Sequence, residues 1–308
     1  MSEIDMLQIK VPASSANLGP GFDSIGLALD LYLTLDVIPS DKWEVIPMNK
    51  ELESFPKDET NFIVKTAAEV AQKYNKELIP CQIKVSSNIP LARGLGSSAS
   101  AIVAGIELAD CICDLKLSKK EKFQIASVME GHPDNVGASI FGGLIIGCQL
   151  DEDIEAEVIH SIDLELVAVV PKEELLTKSS RGVLPEAMSY SESVAAGAVS
   201  NLLVAALLTG NMELAGKMMK KDRYHQPYRK SLVPHLQVIE DHALDFGAYG
   251  VTLSGAGPTV LCFIKKGQTS SVINGLKELL PTMDYLPIHV DYKGSCITGS
   301  LDSALLKK

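Results

Sequence analysis

The chain is short of several things, and each shortage removes a class of explanation. It has one Trp and six Cys in 308 residues, with no Cys-x-x-Cys pair. A zinc knuckle or a redox dithiol is therefore not expected. Most of the cysteines (Cys81, Cys111, Cys113, Cys148, Cys262 and Cys296) sit in apolar runs, where a thiol acts as a small hydrophobe. A reducing cytoplasm is the expected compartment. Positive charge is also scarce: 28 Lys and Arg against 39 Asp and Glu leave a net charge of −11. That balance argues against non-specific nucleic-acid binding and against docking on an anionic membrane. No run of about 18 apolar residues occurs, so no transmembrane helix is expected. Residues 1–10 carry acids and no long apolar stretch, unlike a signal peptide. There is no Gly-Lys-Ser/Thr triplet, which excludes a Walker phosphate loop, and the protein-kinase motifs are absent as well. No internal repeat or low-complexity segment is visible.

What remains is a length that suits two ordinary domains or one large one, with 46% hydrophobic residues to fill a core. Residues 7–13 read as a strand. From 27 to 37, leucines and Val37 alternate with Asp30, Thr34 and Asp36, the period of a half-buried strand. A helix is predicted over 61–75, a strand over 81–87, helices over about 97–113 and 118–130, and a strand from Phe141 to Gln149. The charged stretch 151–157 reads as a loop or hairpin edge. Beyond it come a strand at 164–170, helices at 190–208, 211–220 and 234–246, and strands at 249–254 and 259–264. A helix at 269–280 and a strand at 284–291 end the ordered part. Mixed strands and helices suggest two α+β layers, one per half. The change of order falls near 151–163, giving domains at 1–157 and 158–308.

One segment stands above the rest: Pro90, Leu91, Ala92, Arg93, Gly94, Leu95, Gly96, Ser97, Ser98, Ala99, Ser100. It reads as a strand, a glycine loop and a helix start. Glycines let the backbone approach a ligand, and the free N–H groups of a helix N-terminus attract anions. Ser97 and Ser98 can serve as helix caps or as phosphate or Mg²⁺ ligands. Three further clusters carry polar groups. Residues 11–23 run from a strand into a Gly/Pro turn holding Asn17 and Asp23, which plain turn chemistry also favours. Residues 130–135 place Glu130, His132 and Asn135 after a helix; a Glu one loop from Ser98 could share a Mg²⁺ with it. Arg181 and Arg223 are candidate bidentate clamps for a carboxylate, with Arg229 in the same stretch as Arg223. Residues 252–259, around Gly255, form a glycine turn between two strands, and Asn61 could be a helix N-cap.

The loop at 90–100 resembles the phosphate loop of the GHMP small-molecule kinases. Residues 11–23 closely resemble the opening motif of the homoserine kinases among them, and four motifs follow in family order across about residues 11–260. The resemblance implies an N-terminal domain like domain 2 of ribosomal protein S5, a ferredoxin-like C-terminal domain and an active site between them. It implies that ATP is bound by the 90–100 loop, with Asn61 near the base, and that Ser98 and Glu130 hold Mg²⁺. It further implies that Asn17, Asp23, His132, Asn135, Arg181, Arg223 and Gly255 contact L-homoserine, whose hydroxyl is phosphorylated on the route to threonine. A homodimer is the implied assembly. No general base is placed. A different small alcohol such as mevalonate, or a non-catalytic ligand sensor on the same fold, are the alternatives; the first leaves Asp23 without an ammonium to pair.

Overall fold

The computed structural model describes residues 6–301. The first half is built on one long antiparallel hairpin, β1 (Leu7–Asn17) and β2 (Gly21–Pro39). Leu27, Leu29, Leu33, Leu35 and Val37 face the core as the alternation predicts. Leu31 is only half-buried, because the register shifts at Pro12/Ala13 and the pleat slips out of phase there. Strand β3 (Glu44–Pro47) runs parallel to β4 (Cys81–Ser87), which pairs with the far end of β2. The near end of β2 carries β5 (Leu144–Leu150) and, beyond it, β6 (Asp153–Ile159). Helices α1 (Phe62–Lys73), α2 (Ser97–Cys113), α3 (Lys119–Glu130) and α4 (Asp134–Phe141) form the layer over this sheet. Ser118 and Glu121 close a capping box at the start of α3.

The second sheet has the order β10 (Asp284–Ile288), β7 (Glu165–Val170), β9 (Val260–Ile264), β8 (Ala248–Leu253), all antiparallel. Numbered within this half, that order is 4-1-3-2, the ferredoxin-like arrangement. Its central strands read as unbroken apolar runs because both faces are covered. Val167, Val169 and Cys262 pack under α9 (Pro234–His242) and α10 (Thr269–Leu279), while Leu166, Ala168 and Phe263 join the larger core shared with the first half. Between β7 and β8 lie α5 (Thr177–Arg181), α6 (Tyr190–Leu208), α7 (Met212–Met219) and α8 (Gln226–Arg229). Among the described residues α6 alone is long and apolar enough to cross a membrane by length and composition. Its Ala196, Leu203, Ala206 and Leu207 are buried in the protein.

Two readings need correction. The predicted strand at 141–149 starts only at Leu144: Phe141 ends α4, and Gly142 and Gly143, both at positive φ, make the turn. Of the two readings of the charged stretch after 150, the hairpin edge holds: it is β6, the outer strand of the β5–β6 hairpin, and its charges face water at the sheet edge. The chain does not leave the fold after 291, since β11 (Cys296–Thr298) returns to pair with β1.

Candidate active site

The glycine loop owes its shape to two left-handed positions. Gly94 has φ 74° and Gly96 has φ 70°. A Cβ on Gly94 would stand 2.3 Å from the Ser254 carbonyl oxygen, and one on Gly96 2.2 Å from Ser14 Oγ. The loop is therefore pressed against the β8–β9 turn on one side and β1 on the other. Helix α2 begins at Ser97 with no side chain capping its first N–H groups. Leu91, Ala92, Gly94, Gly96, Ser97 and Ser98 line a cavity of about 850 Å³.

Five predicted members of the loop do not line it. Leu95 and Ala99 are core residues. Pro90 lies outside the lining set. The buried Ser100 hydroxyl is shared between the carbonyls of Pro12 and Gly96. Arg93 turns away and donates to the carbonyls of Leu91, Pro171 and Lys172.

The remaining segments are stitched to the loop by main-chain bonds. Ser14 N–H donates to Leu95, Gly255 N–H to Ala16 and Thr259 N–H to Arg93. Ser254 Oγ donates to Gly94 O, 2.7 Å away. Asn17, Leu18 and Gly19 turn through successive left-handed conformations. Here Asn17 works as a brace: its Oδ1 accepts from Asp23 N–H and its Nδ2 donates to Gly255 O, each at 3.0 Å. Asn61 is indeed an N-cap, accepting from Ile63 N–H at the start of α1, and it lines the cavity. Around it Val45, Leu52, Phe55, Phe62 and Val85 make an apolar lobe.

At the other end of the cavity charges gather. Glu130 ends α3, and no hydrogen bond or ion pair with a described residue holds its carboxylate; burial pushes its pKa up. His132 Nδ1 lies 2.6 Å from Asp134 Oδ1. Burial works against the imidazolium, but the Asp134 carboxylate outweighs it and the His132 pKa rises. Asp134 is fully buried; its Oδ1 also accepts from Asn135 N–H, and its Oδ2 has no partner among the described residues. Asn135 accepts from Ser14 Oγ. Donor atoms of Asp23, His132 and Asp134 come within 4.8 Å of one another. Asp134 went unread in the sequence although it sits inside the His-Pro-Asp-Asn run, because an Asp opening a helix is common on capping grounds alone.

The arginines divide. Arg181, the last residue of α5, forms a two-pronged ion pair with Asp23, Nη1 to Oδ2 at 3.0 Å and Nη2 to Oδ1 at 2.7 Å. Burial lowers its pKa, and the Asp23 carboxylate raises it by more. Arg223 is not brought to this cavity; it lines a separate depression with Glu192, Lys221 and Tyr228. Arg229 takes the place instead. It is 1% exposed, lies over the Phe22 ring and donates from Nε to Ser180 O and from Nη1 to Gly255 O and His225 Nδ1. Burial, with Arg181 nearby, pulls its pKa down to about 10. Its Nη2 has no hydrogen-bond partner among the described residues. The signal for Arg229 was its spacing: His225 and Arg229 are four apart across a Pro-started helix, which puts them on one face.

Two family models match the chain: the GHMP kinases N terminal domain over residues 61–143 and the GHMP kinases C terminal domain over 203–282. A homoserine kinase of Bacillus licheniformis is 51% identical over 282 residues, covering 91% of this chain and 92% of its own. One from Halalkalibacterium halodurans is 50% identical over 290 residues, 93% of each chain. The crystal structure of homoserine kinase from Cytophaga hutchinsonii superposes with a TM-score of 0.84 at 25% identity, covering 97% of this chain and 99% of that one.

Proposed function

The chain belongs to the GHMP kinases, on their homoserine kinase branch, and from that premise we propose how the residues around its cavity carry a phosphoryl group from ATP to the side-chain hydroxyl of L-homoserine. The observation that carries the reading is convergence: four segments far apart in sequence line one cavity. The uncapped start of α2 and the Gly94–Ser98 backbone suit the β- and γ-phosphates. The apolar lobe beside Asn61 suits the base. Glu130 and Ser98 fit Mg²⁺, which takes few protein oxygens beside phosphate and water, and the Glu130 carboxylate is free of any other partner among the described residues. When bound, Mg²⁺ would neutralise charge on the transferring phosphoryl group.

Arg181 and Arg229 hold the substrate carboxylate, and Asp23 holds its ammonium. Asn17 fixes the Asp23 backbone rather than reaching the substrate, and Gly255 offers its carbonyl to Asn17 and Arg229. His132 and Asn135 stand at the hydroxyl end. The new bond forms between the hydroxyl oxygen and the γ-phosphorus while the β–γ bridging bond breaks, ADP leaves, and the hydroxyl proton passes to an oxygen of the transferred phosphoryl group. No side chain is assigned as base. A cytoplasmic homodimer is the assembly proposed with this reading, and sedimentation tests it. ADP release measured with homoserine, mevalonate and galactose tests the whole reading; turnover with homoserine alone is the expected result, and equal turnover with mevalonate would overturn it.

A further inference from the structure

The two groups assigned to opposite ends of the amino acid are bound to each other. Asp23 and Arg181 make both of their hydrogen bonds together, at 2.7 and 3.0 Å, and each side chain is about one-third exposed to the cavity (34% and 39%). All of the Asp23 carboxylate is turned to Arg181. Arg229 is committed elsewhere through Nε and Nη1, leaving a single nitrogen for a ligand. A carboxylate entering alone therefore finds only the Nη2 amino group of Arg229, and on Arg181 a fork already paired with Asp23. An ammonium entering alone finds an occupied carboxylate.

We propose that the Asp23–Arg181 pair is a ligand-displaced latch, so that the subsite accepts a zwitterion and resists either charge alone. This rests on the homoserine reading. A carboxylate that captures Arg181 strands Asp23 in a half-buried cleft, and an ammonium that captures Asp23 strands Arg181. Leaving a charge without its partner in such a place is costly. A zwitterion replaces both interactions at once, so the exchange conserves paired charges and net charge alike. The backbone fits the device. Asp23 sits at φ 52°, tied by its N–H to Asn17, so its carboxylate is aimed by a fixed turn. Arg181 ends the five-residue helix α5, and its guanidinium, over the Phe22 ring, reaches Asp23 on a long flexible stem.

Ordinary two-point recognition and a latch differ in one measurable way. If the two groups act independently, removing Asp23 leaves a carboxylate-only ligand unaffected. If they are latched, removing Asp23 frees Arg181 and that ligand binds better. The probes are 4-hydroxybutyrate, which is homoserine without its amine, and 3-aminopropan-1-ol, which lacks the carboxylate. Each is read as a competitive inhibitor of homoserine in the ADP-release assay. Asp23→Asn keeps a residue that tolerates positive φ. It should weaken homoserine yet tighten 4-hydroxybutyrate by about twofold to fivefold, the range of a partly exposed ion pair. Arg181→Gln should do the same for 3-aminopropan-1-ol. Unchanged or weaker binding of both probes overturns the latch while homoserine turnover by the parent enzyme stands. Absence of homoserine turnover in the parent enzyme overturns the underlying reading instead. If Asp23→Asn does not fold, judged by circular dichroism and ATP KM, the Arg181→Gln arm decides alone.

Discussion

Side chains of the same chemical type do opposite jobs in this protein, and their surroundings decide which. Ser98 faces the cavity and Ser100, two residues on, faces Pro12. Ser98→Ala should lower kcat with little change in melting temperature. Ser100→Ala should leave kcat nearly intact and cost about 1 kcal/mol of stability, the worth of a buried hydrogen bond, as chemical denaturation would report. Arg229→Lys should raise the homoserine KM by about tenfold or more, because the fork over Phe22 and the Gly255 carbonyl is lost. Arg223→Gln should leave that KM within about twofold, as expected for an exposed charge. Steady-state kinetics with each substrate varied separates the two. His225 carries a pH signature. Burial pushes its pKa from 6.5 to about 4, with Nε2–H donating to Gly19 O and Nδ1 accepting from Arg229. The unfolded chain binds a proton there below about pH 6.5 and the folded one does not, so its contribution is complete above that pH and is lost as pH falls toward 4. Urea midpoints should drop between pH 7 and pH 5, and less so in His225→Gln. That Glu130, His132 and Arg181 line one cavity was legible from motif position. The direction of Arg93 was not, since two of the three carbonyls that set it belong to a segment almost 80 residues away.

Long periodic elements were legible because their pattern is their cause. Strand β4 and helices α2 and α6 lie where alternation, or a Ser-led apolar helix, puts them. The elements that escaped are short. Helix α4 spans eight residues and was absorbed into the turn that precedes it; β3 and β11 span four and three. Such segments are fixed by partners, β4 for one and β1 for the other, not by their own periodicity. Glycines at the loop behave as the sequence implies but for a sharper reason. Gly94→Ala would meet Ser254 O at 2.3 Å and also strain a left-handed backbone. It should cost about 2 kcal/mol or more and raise the ATP KM, because relief requires the loop to part from the β8–β9 turn. Thermal unfolding and ATP titration together test this. A drop in stability without a change in ATP KM would mean that the loop bears the strain without moving.

At the scale of the molecule, the halves are interlocked more than a boundary near 151–163 conveys. Strand β11 returns to β1, and Asp30 N–H donates to His289 O across the sheets. These contacts join residues more than 250 positions apart, and no local pattern announces them. Between the halves, Leu175 N–H donates to Ala92 O of the glycine loop, with Arg93 gripping Pro171 and Lys172 beside it. The segment so held leads directly into α5 and Arg181. Under the homoserine reading, phosphates on the loop and an amino acid on Arg181 therefore act on one hydrogen-bonded strip of chain. Thermodynamically, that makes each ligand an effector of the other. Homoserine affinity should change by some factor when a non-hydrolysable ATP analogue is present, and nucleotide affinity must change by the same factor when homoserine is present. Arg93→Ala should bring that factor toward one in calorimetric titrations while leaving both sites chemically whole.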